Sequence, residues 1–496
     1  MALVINTNVP SLTSQRALHE SGSELSTAME RLSTGLKINA ASDDAAGLAM
    51  TQRMTAQVRG LSMAVKNAND GMAMTKSVEG AIGEVSDMLQ RMRELAIQAA
   101  NGTNSSADRT FLQNEVNLLI QEITRVSTNT RYNGELILDG TFINKNLQVG
   151  IEEGEVITMS VESIAAEKIG AHTLVGNGQT AVAAAAAPGA NPTLPGDTIE
   201  IFGFLGTKLI TPGTADSAKS VARLINNQTG VTGVKAYAKN YAALHSNATA
   251  DKTYSVKING YSTGNFVISK GSVQNAVDAI NQISGATGVT AHSQSTATAT
   301  HVVLFDSDGD DITIENTQTL TGHTDLRVQK IDETGVVAGL MGTPISLALA
   351  GGNDATRVTG TLKMTSANAF SVNGGSTTGY TGTAAGAFTA TLKNLTEVNI
   401  STMLQAGDSI SIIDSSLNKI AQMRANLGAI ENRLDYTITN LMNIGERTAD
   451  SRSRLQDADY ALESSRLAKA QVIQQAGTQM LSQANQMTQL VLDLLR

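Results

Sequence analysis

The chain contains no cysteine and no tryptophan in its 496 residues. The first absence removes disulfides, thiolate chemistry and Cys-ligated metals. Aromatic residues make up only 3% of the chain, so the rings that supply much of the buried area in many cores are scarce. Long helix–helix seams lined by Leu, Ile, Val, Met and Ala are one way to stabilise such a chain. An excess of positive charge is missing too. The net charge is −9, where a nucleic-acid binder needs a basic face. No run of about 18 apolar residues occurs, which leaves no transmembrane helix. The opening Met1-Ala2-Leu3-Val4-Ile5-Asn6 has neither a basic segment nor a long apolar one. A cleaved secretory signal is therefore not expected.

Proline is sparse and unevenly placed. Its six copies are Pro10, Pro188, Pro192, Pro195, Pro212 and Pro344. Long proline-free stretches at both ends permit long helices. The ends are rich in Leu, Met, Ala, Gln and Ser, the middle in Gly, Thr, Ser, Ala and Val. The expected fold is mainly α. Both chain ends form a long antiparallel, coiled-coil helical core, and an α+β outer region is inserted between them.

Hydrophobic spacing supports this. Leu18, Leu25 and Leu32 stand seven apart. After Ser42-Asp43-Asp44, a helix-capping cluster, a second stripe runs through Met54, Leu61, Ala68, Ile82, Leu89 and Ala96. A further helix is expected at about 107–127. At the other end, Ile413, Ile420, Leu427, Leu434 and Leu441 repeat every seven residues. Ile473, Met480, Met487 and Leu494 continue the pattern. Such stripes are the seam of a coiled coil, and no seam shields itself alone. The two ends are therefore expected to pack on each other.

The extremities have a second property. Residues 1–15 carry no charge, and from Gln471 onward only Asp493 and Arg496 do. Helices with neutral polar faces suit burial against copies of themselves, so self-assembly is expected. Leu18, Leu25, Leu32, Ile473, Met480, Met487 and Leu494 are its candidate residues.

The middle opens on Ala183–Ala187 and three nearby prolines, which read as a linker. An internal repeat follows with an offset of 55: Ile225-Asn226 matches Ile280-Asn281, Thr232-Gly233-Val234 matches Thr287-Gly288-Val289, and Ala236 matches Ala291. Two β-β-α-β modules are expected, at about 197–242 and 254–316. Residues 347–392 read as β-structure.

Catalytic and metal motifs are missing. None of the six histidines has a partner at metal-binding spacing. Asp306, Asp308, Asp310 and Asp311 resemble part of a calcium loop, but Gly309 and Thr317 stand where that loop does not tolerate them. A turn is the expected reading. No enzyme activity and no cofactor are expected.

Two segments carry a family resemblance. Arg31-Leu32-Ser33-Thr34-Gly35-Leu36-Lys37-Ile38-Asn39 with Ser42-Asp43-Asp44-Ala45-Ala46-Gly47-Leu48-Ala49 closely resembles the N-terminal signature of bacterial flagellins. Ser453-Arg454-Leu455-Gln456-Asp457-Ala458-Asp459-Tyr460 and Gln474-Gln475-Ala476-Gly477 are similar to the C-terminal one. The resemblance covers roughly residues 1–170 and 405–496.

It implies a non-enzymatic subunit that polymerises into the flagellar filament for motility and is exported unfolded through the flagellar type III channel. Implied partners are sister copies, an export chaperone on about 456–496, and the filament cap and hook-junction proteins. No nucleic acid or membrane is among them. The implied location is extracellular, in the filament. The implied division is an inner helical domain (1–43 and 457–496), an outer one with a β-hairpin (44–175 and 405–456) and an exposed region (176–404). Arg91, Leu95 and Glu115 match positions at which the animal Toll-like receptor contacts this family, with Arg91 and Leu95 expected to be exposed one turn apart. Alternatives are a hook–filament junction protein and a filament subunit whose middle is an adhesin. A surface hydrolase is disfavoured by the absent H-E-x-x-H motif.

The seam assignment is open to test. Leu427→Asp or Leu434→Asp should destabilise the helical core by more than about 3 kcal/mol, since either buries an unpaired charge. Thermal unfolding measures it, and an unchanged melting temperature would refute the seam.

Overall fold

A computed structural model describes residues 7–176, 180–193, 198–248, 250–269, 271–295, 300–319, 325–374 and 386–494, with the side chains of 487–494 excepted. Helix dominates the ends and strand the middle. Three N-terminal helices are α1 (Val9–Thr34), α2 (Ala45–Ala100) and α3 (Ser106–Asn129). The middle holds α4 (Ala218–Asn226), α5 (Thr229–Thr232), α6 (Gln274–Gln282) and α7 (Ser284–Thr287) among its strands. The C-terminal end is α8 (Met403–Gln456) and α9 (Tyr460–Leu494).

Local chemistry sets the helix ends. Asn8 caps α1, its Oδ1 accepting the N–H of Ser11 at 3.0 Å. Gly35 closes that helix with φ +72°, a conformation that favours glycine. Asp44 starts α2 by accepting the Gly47 N–H at 2.9 Å. Ser105 and Asp108 form a reciprocal capping box at the start of α3.

By contact the chain groups into two units. The first comprises 1–77, 144–160 and 427–496. In it, Ala68 of α2 and Leu434 of α8 form one buried cluster with Val149 and Ile157 of a β-hairpin. Leu61 and Ala64 meet Leu441 in another. The hairpin pairs Lys145–Gln148 with Val156–Met159. Its packing explains two mid-helix glycines. A Cβ on Gly60 would come within 2.8 Å of Ile151, and one on Gly71 within 2.5 Å of Leu147. Each glycine costs the helix about 1 kcal/mol relative to alanine and opens a socket for a hairpin side chain.

The second unit comprises 78–143 and 161–426. Its helical part buries Val78, Ile82, Val85, Leu89, Met92, Leu95 and Ala96 from α2, Val116 and Ile123 from α3, and Ile413 and Ile420 from α8. Ion pairs Arg93–Asp414 at 2.6 Å and Arg424–Glu79 at 3.3 Å run between α2 and α8.

The strand-rich part is built around the repeat. The first copy reads Ile199–Phe202, Thr207–Ile210, α4 and Lys235–Ser246; the second reads Lys252–Ile258, Tyr261–Ile268, α6 and Val289–Ser295. The shared Asn is a clamp. Asn226 Nδ2 donates to Ala236 O at 2.8 Å, and its Oδ1 accepts Ala236 N–H at 2.8 Å. Asn281 does the same with Ala291, at 2.9 and 2.7 Å. Gly233 and Gly288 both have φ +73°, which is why each copy needs glycine there.

Later strands complete each hairpin. Ser371–Gly374 and Gly386–Thr389 extend the first into a four-stranded sheet; Ile312–Asn316 and Ala355–Val358 extend the second. Strand Lys235–Ser246 sits inside the largest sheet, pairing with Thr300–Asp306, Leu326–Ile331 and Thr361–Ser366. The expected linker does not run free. Val182 N–H donates to Arg357 O at 2.9 Å and Ala185 pairs with Ala355. The small alanines there can lie along a sheet edge, and Pro195 of the expected linker falls outside the described residues. The four aspartates form a turn, as Asp306 Oδ1 accepts the N–H groups of Asp308, Gly309 and Asp310.

His245 and His301 lie side by side on neighbouring strands, ring centroids 4.7 Å apart. Burial, then His301, then Arg327 push His245 down to about 4. In the unfolded chain it titrates near 6.5. Between those values the unfolded chain takes up a proton that the fold refuses. Stability of this unit should therefore fall as pH drops from about 6.5 to about 4, by up to about 3 kcal/mol. His245→Gln should flatten that slope in pH-dependent thermal unfolding; an unchanged slope would refute the assignment.

Candidate assembly interface

Helices α1 and α9 pair in antiparallel fashion. Their seam alternates small buried residues with larger half-buried ones. Ser11, Ser21 and Ala28 are buried from α1, and Glu463, Ala470 and Ala484 from α9. Between them sit half-buried Leu18, Leu25 and Leu32, and half-buried Leu467, Gln474, Gly477 and Leu481. The steps alternate three and four residues on both helices. Small residues bring the backbones close enough for hydrogen bonds. Ser21 Oγ donates to Ala470 O at 3.1 Å, and Asn8 Nδ2 donates to Ala484 O at 3.1 Å. Gly477 faces Leu18, whose Cδ1 lies 2.7 Å from where a Cβ would be.

This corrects the expected register of α9. Ile473 and Met480 were assigned to the pairing stripe, yet Met480 is 63% exposed and Ile473 is exposed as well. The pairing face is one residue on, at Gln474 and Leu481. The heptad scan favoured the larger apolar residues, whereas the close approach selects glycine and alanine. The side chains of Met487 and Leu494 lie outside the described residues. Of the second stripe, Leu61, Ile82, Leu89, Ile413, Ile420, Leu427, Leu434 and Leu441 are buried and Met54 is half-buried.

One ionic cluster interrupts the seam. Arg31 reaches Glu463 at 3.3 Å, and Arg466 reaches the same carboxylate at 2.8 Å. Glu463 is only 4% exposed. Just beyond it the two segments zip by backbone: Lys37 N–H donates to Gln456 O at 2.6 Å, and Ala458 N–H to Gly35 O at 2.9 Å. Sequence reasoning missed both features. The charged Arg31 and Glu463 at seam positions were the available signal.

The outer faces of the pair carry bare apolar side chains. Val9, Leu12 and Met29 are exposed on α1, and Leu462, Val472, Ile473 and Met480 on α9. Exposed apolar stripes of this kind mark an interaction surface.

In the second unit, Arg91 Nε donates to Glu115 at 2.9 Å, and the guanidinium also meets Glu94 at 3.0 Å. Leu95 is buried, so the expected exposed pair of Arg91 and Leu95 does not form. Leu95 falls on the core side of α2 with Met92 and Ala96.

Paired terminal helices with small residues at the seam, exposed apolar side chains and tips almost free of charge define a helical-ended structural subunit of the self-assembling kind. The comparisons with known proteins agree. Residues 5–143 match the bacterial flagellin N-terminal helical region, and residues 410–495 the C-terminal helical region. The B-type flagellin of Pseudomonas aeruginosa is 36% identical, with all of both chains covered. The flagellin of Salmonella typhimurium is 34% identical and flagellin B of Vibrio cholerae 30%, again over the full length of both chains. The chain belongs to the bacterial flagellins. It is a structural subunit of the flagellar filament and not an enzyme. Among the described residues no helix is long and apolar enough to cross a membrane.

The buried Glu463 gives a test. Glu463→Ala strands Arg31 at the seam and should lower the melting temperature of the assembled polymer, by roughly 3 kcal/mol of subunit stability. The Arg31→Met/Glu463→Met pair should recover most of the loss. Calorimetry of sheared polymer reads both, and equal losses would show that the ion pair sets nothing.

Proposed function

We propose that the bare faces of α1 and α9 are the surfaces through which sister copies pack in the filament. The observation that carries this is the pairing of exposed apolar residues, Val9, Leu12, Val472 and Met480, with helix ends almost free of charge. A neutral face loses little on desolvation, whereas Lys and Glu would be expensive to bury. On this reading α1 and α9 form an antiparallel coiled coil. Residues 1–43 and 457–496 build the inner layer of the polymer, 44–175 and 405–456 the outer layer, and 176–404 the outward face. The strict 55-residue offset and the duplicated Asn clamp support one β-β-α-β module used twice.

The family membership also supports export through the flagellar type III channel, delivery to the cell exterior, an export chaperone on about 456–496, and contact with cap and hook-junction proteins. Recognition by the animal Toll-like receptor would rest on the half-exposed Arg91–Glu115 pair, with Leu95 supporting it from beneath. An adhesive role of the middle region would be additional to polymerisation.

Deleting residues 1–20 should give a folded chain that neither seeds nor extends polymers. Electron microscopy after addition of sheared seeds checks this. Long filaments of normal diameter from the truncated chain would rule out the proposed surface.

A further inference from the structure

We propose that a cleft in the second unit, between the hairpin tip of the first repeat and one face of α8, binds a neutral oligosaccharide. The internal repeat separates what this fold needs from what it carries. Phe202 pairs with Thr207 in the first copy, as Lys257 pairs with Ser262 in the second. At the 55-residue offset, Phe204-Leu205 therefore stands where the second copy has Asn259-Gly260. That second turn is conformational: Asn259 and Gly260 have φ +49° and +86°, and Asn259 Oδ1 accepts the Thr313 N–H at 2.8 Å. The first turn does something else. Phe204 is 64% and Leu205 61% exposed, at a position where the same fold works with a small polar pair. Two large apolar side chains held in water are unfavourable and point to a contact outside the chain.

The cleft beneath them has a volume of about 550 Å³, a usual size for a small-ligand site. Phe204 and Tyr237 present aromatic surface at its edge. Its floor combines amides and hydroxyls, including Asn368, Asn418, Gln422 and Ser415, with the small apolar Ala367, Ala421 and Ala425. Asn368 Nδ2 donates to Gln422 Oε1 at 3.2 Å and Lys419 Nζ to Asn368 Oδ1 at 3.3 Å, so that amide pair is held in place before any ligand arrives. The only charged lining residues are Lys235 and Asp414, of opposite sign.

That balance offers nothing to a phosphate or a polyanion. The floor lacks the large aliphatic side chains that anchor an amphipathic helix. Aromatic faces over a bed of amides and hydroxyls suit a pyranose: the rings cover its C–H face, and the amides pair with its vicinal hydroxyls.

The test uses the full-length monomer with cellotetraose, chitotetraose and mannotetraose, read by saturation-transfer NMR and titration calorimetry. At least one should bind. Phe204→Asn/Leu205→Gly, which writes the second copy's turn into the first, should weaken that binding by roughly tenfold or more, with the circular dichroism spectrum unchanged. Asn368→Ala should weaken it independently. Binding of none of the three, or binding undiminished in the double variant, would overturn the proposal. So would binding of phosphatidylcholine vesicles in place of the sugars, lost in the same variant, which would assign the tip to lipid.

Discussion

The close approach of α1 and α9 is the constraint on which the ends of this protein depend. Large side chains usually hold helices together by filling the space between them. Here most of the fully buried seam positions are small, Ser11, Ser21, Ala28, Ala470 and Ala484, so the helices approach closely at those points. Hydrogen bonds from Ser21 and Asn8 to carbonyls of the other helix become possible only at that distance. With so little apolar area buried, the pair alone gains modest stability. Several larger apolar residues, Leu12, Met29, Ile473 and Met480 among them, stay exposed on the outside of the pair. A helix pair that keeps its best apolar surface on the outside is suited to being finished by neighbours, which is the position of a filament subunit.

The same economy recurs in the first unit. Gly60 and Gly71 give up helix stability to admit Ile151 and Leu147 of the hairpin. Scarcity of aromatic residues thus has a structural counterpart: close approach replaces bulk. The strand-rich part follows a different rule. There, ordinary β-branched and aliphatic packing fills the cores, and the duplicated Asn clamp ties each short helix to the strand that follows it.

Much of this was legible in the sequence. The long helices, their capping clusters and the two short repeat helices follow from proline placement, heptad spacing and the Ile-Asn and Thr-Gly-Val matches. The register of α9 was not legible, because a hydrophobicity scan selects Met480 over Gly477, whereas close packing selects the reverse. Leu95 was misplaced for a related reason: a motif match carries no information on which side of α2 a residue faces. The completion of each repeat hairpin by strands from 312–316, 355–358, 371–374 and 386–389 was hidden as well. The pairings that attach these strands to the repeat hairpins join residues more than fifty positions apart, and alternation within a short strand does not name its partner.

The breaks at Gly35–Asp44 and Asp457–Asp459 lie at one level and are stitched by Leu36 pairing with Asp457. Helices α1 and α9 are thereby separate pieces from α2 and α8, with that small clasp between them. Opening the α1–α9 pair requires no turn of α2 or α8 to unwind. The α1–α9 pair can therefore open and close as a piece of its own while α2 and α8 stay wound.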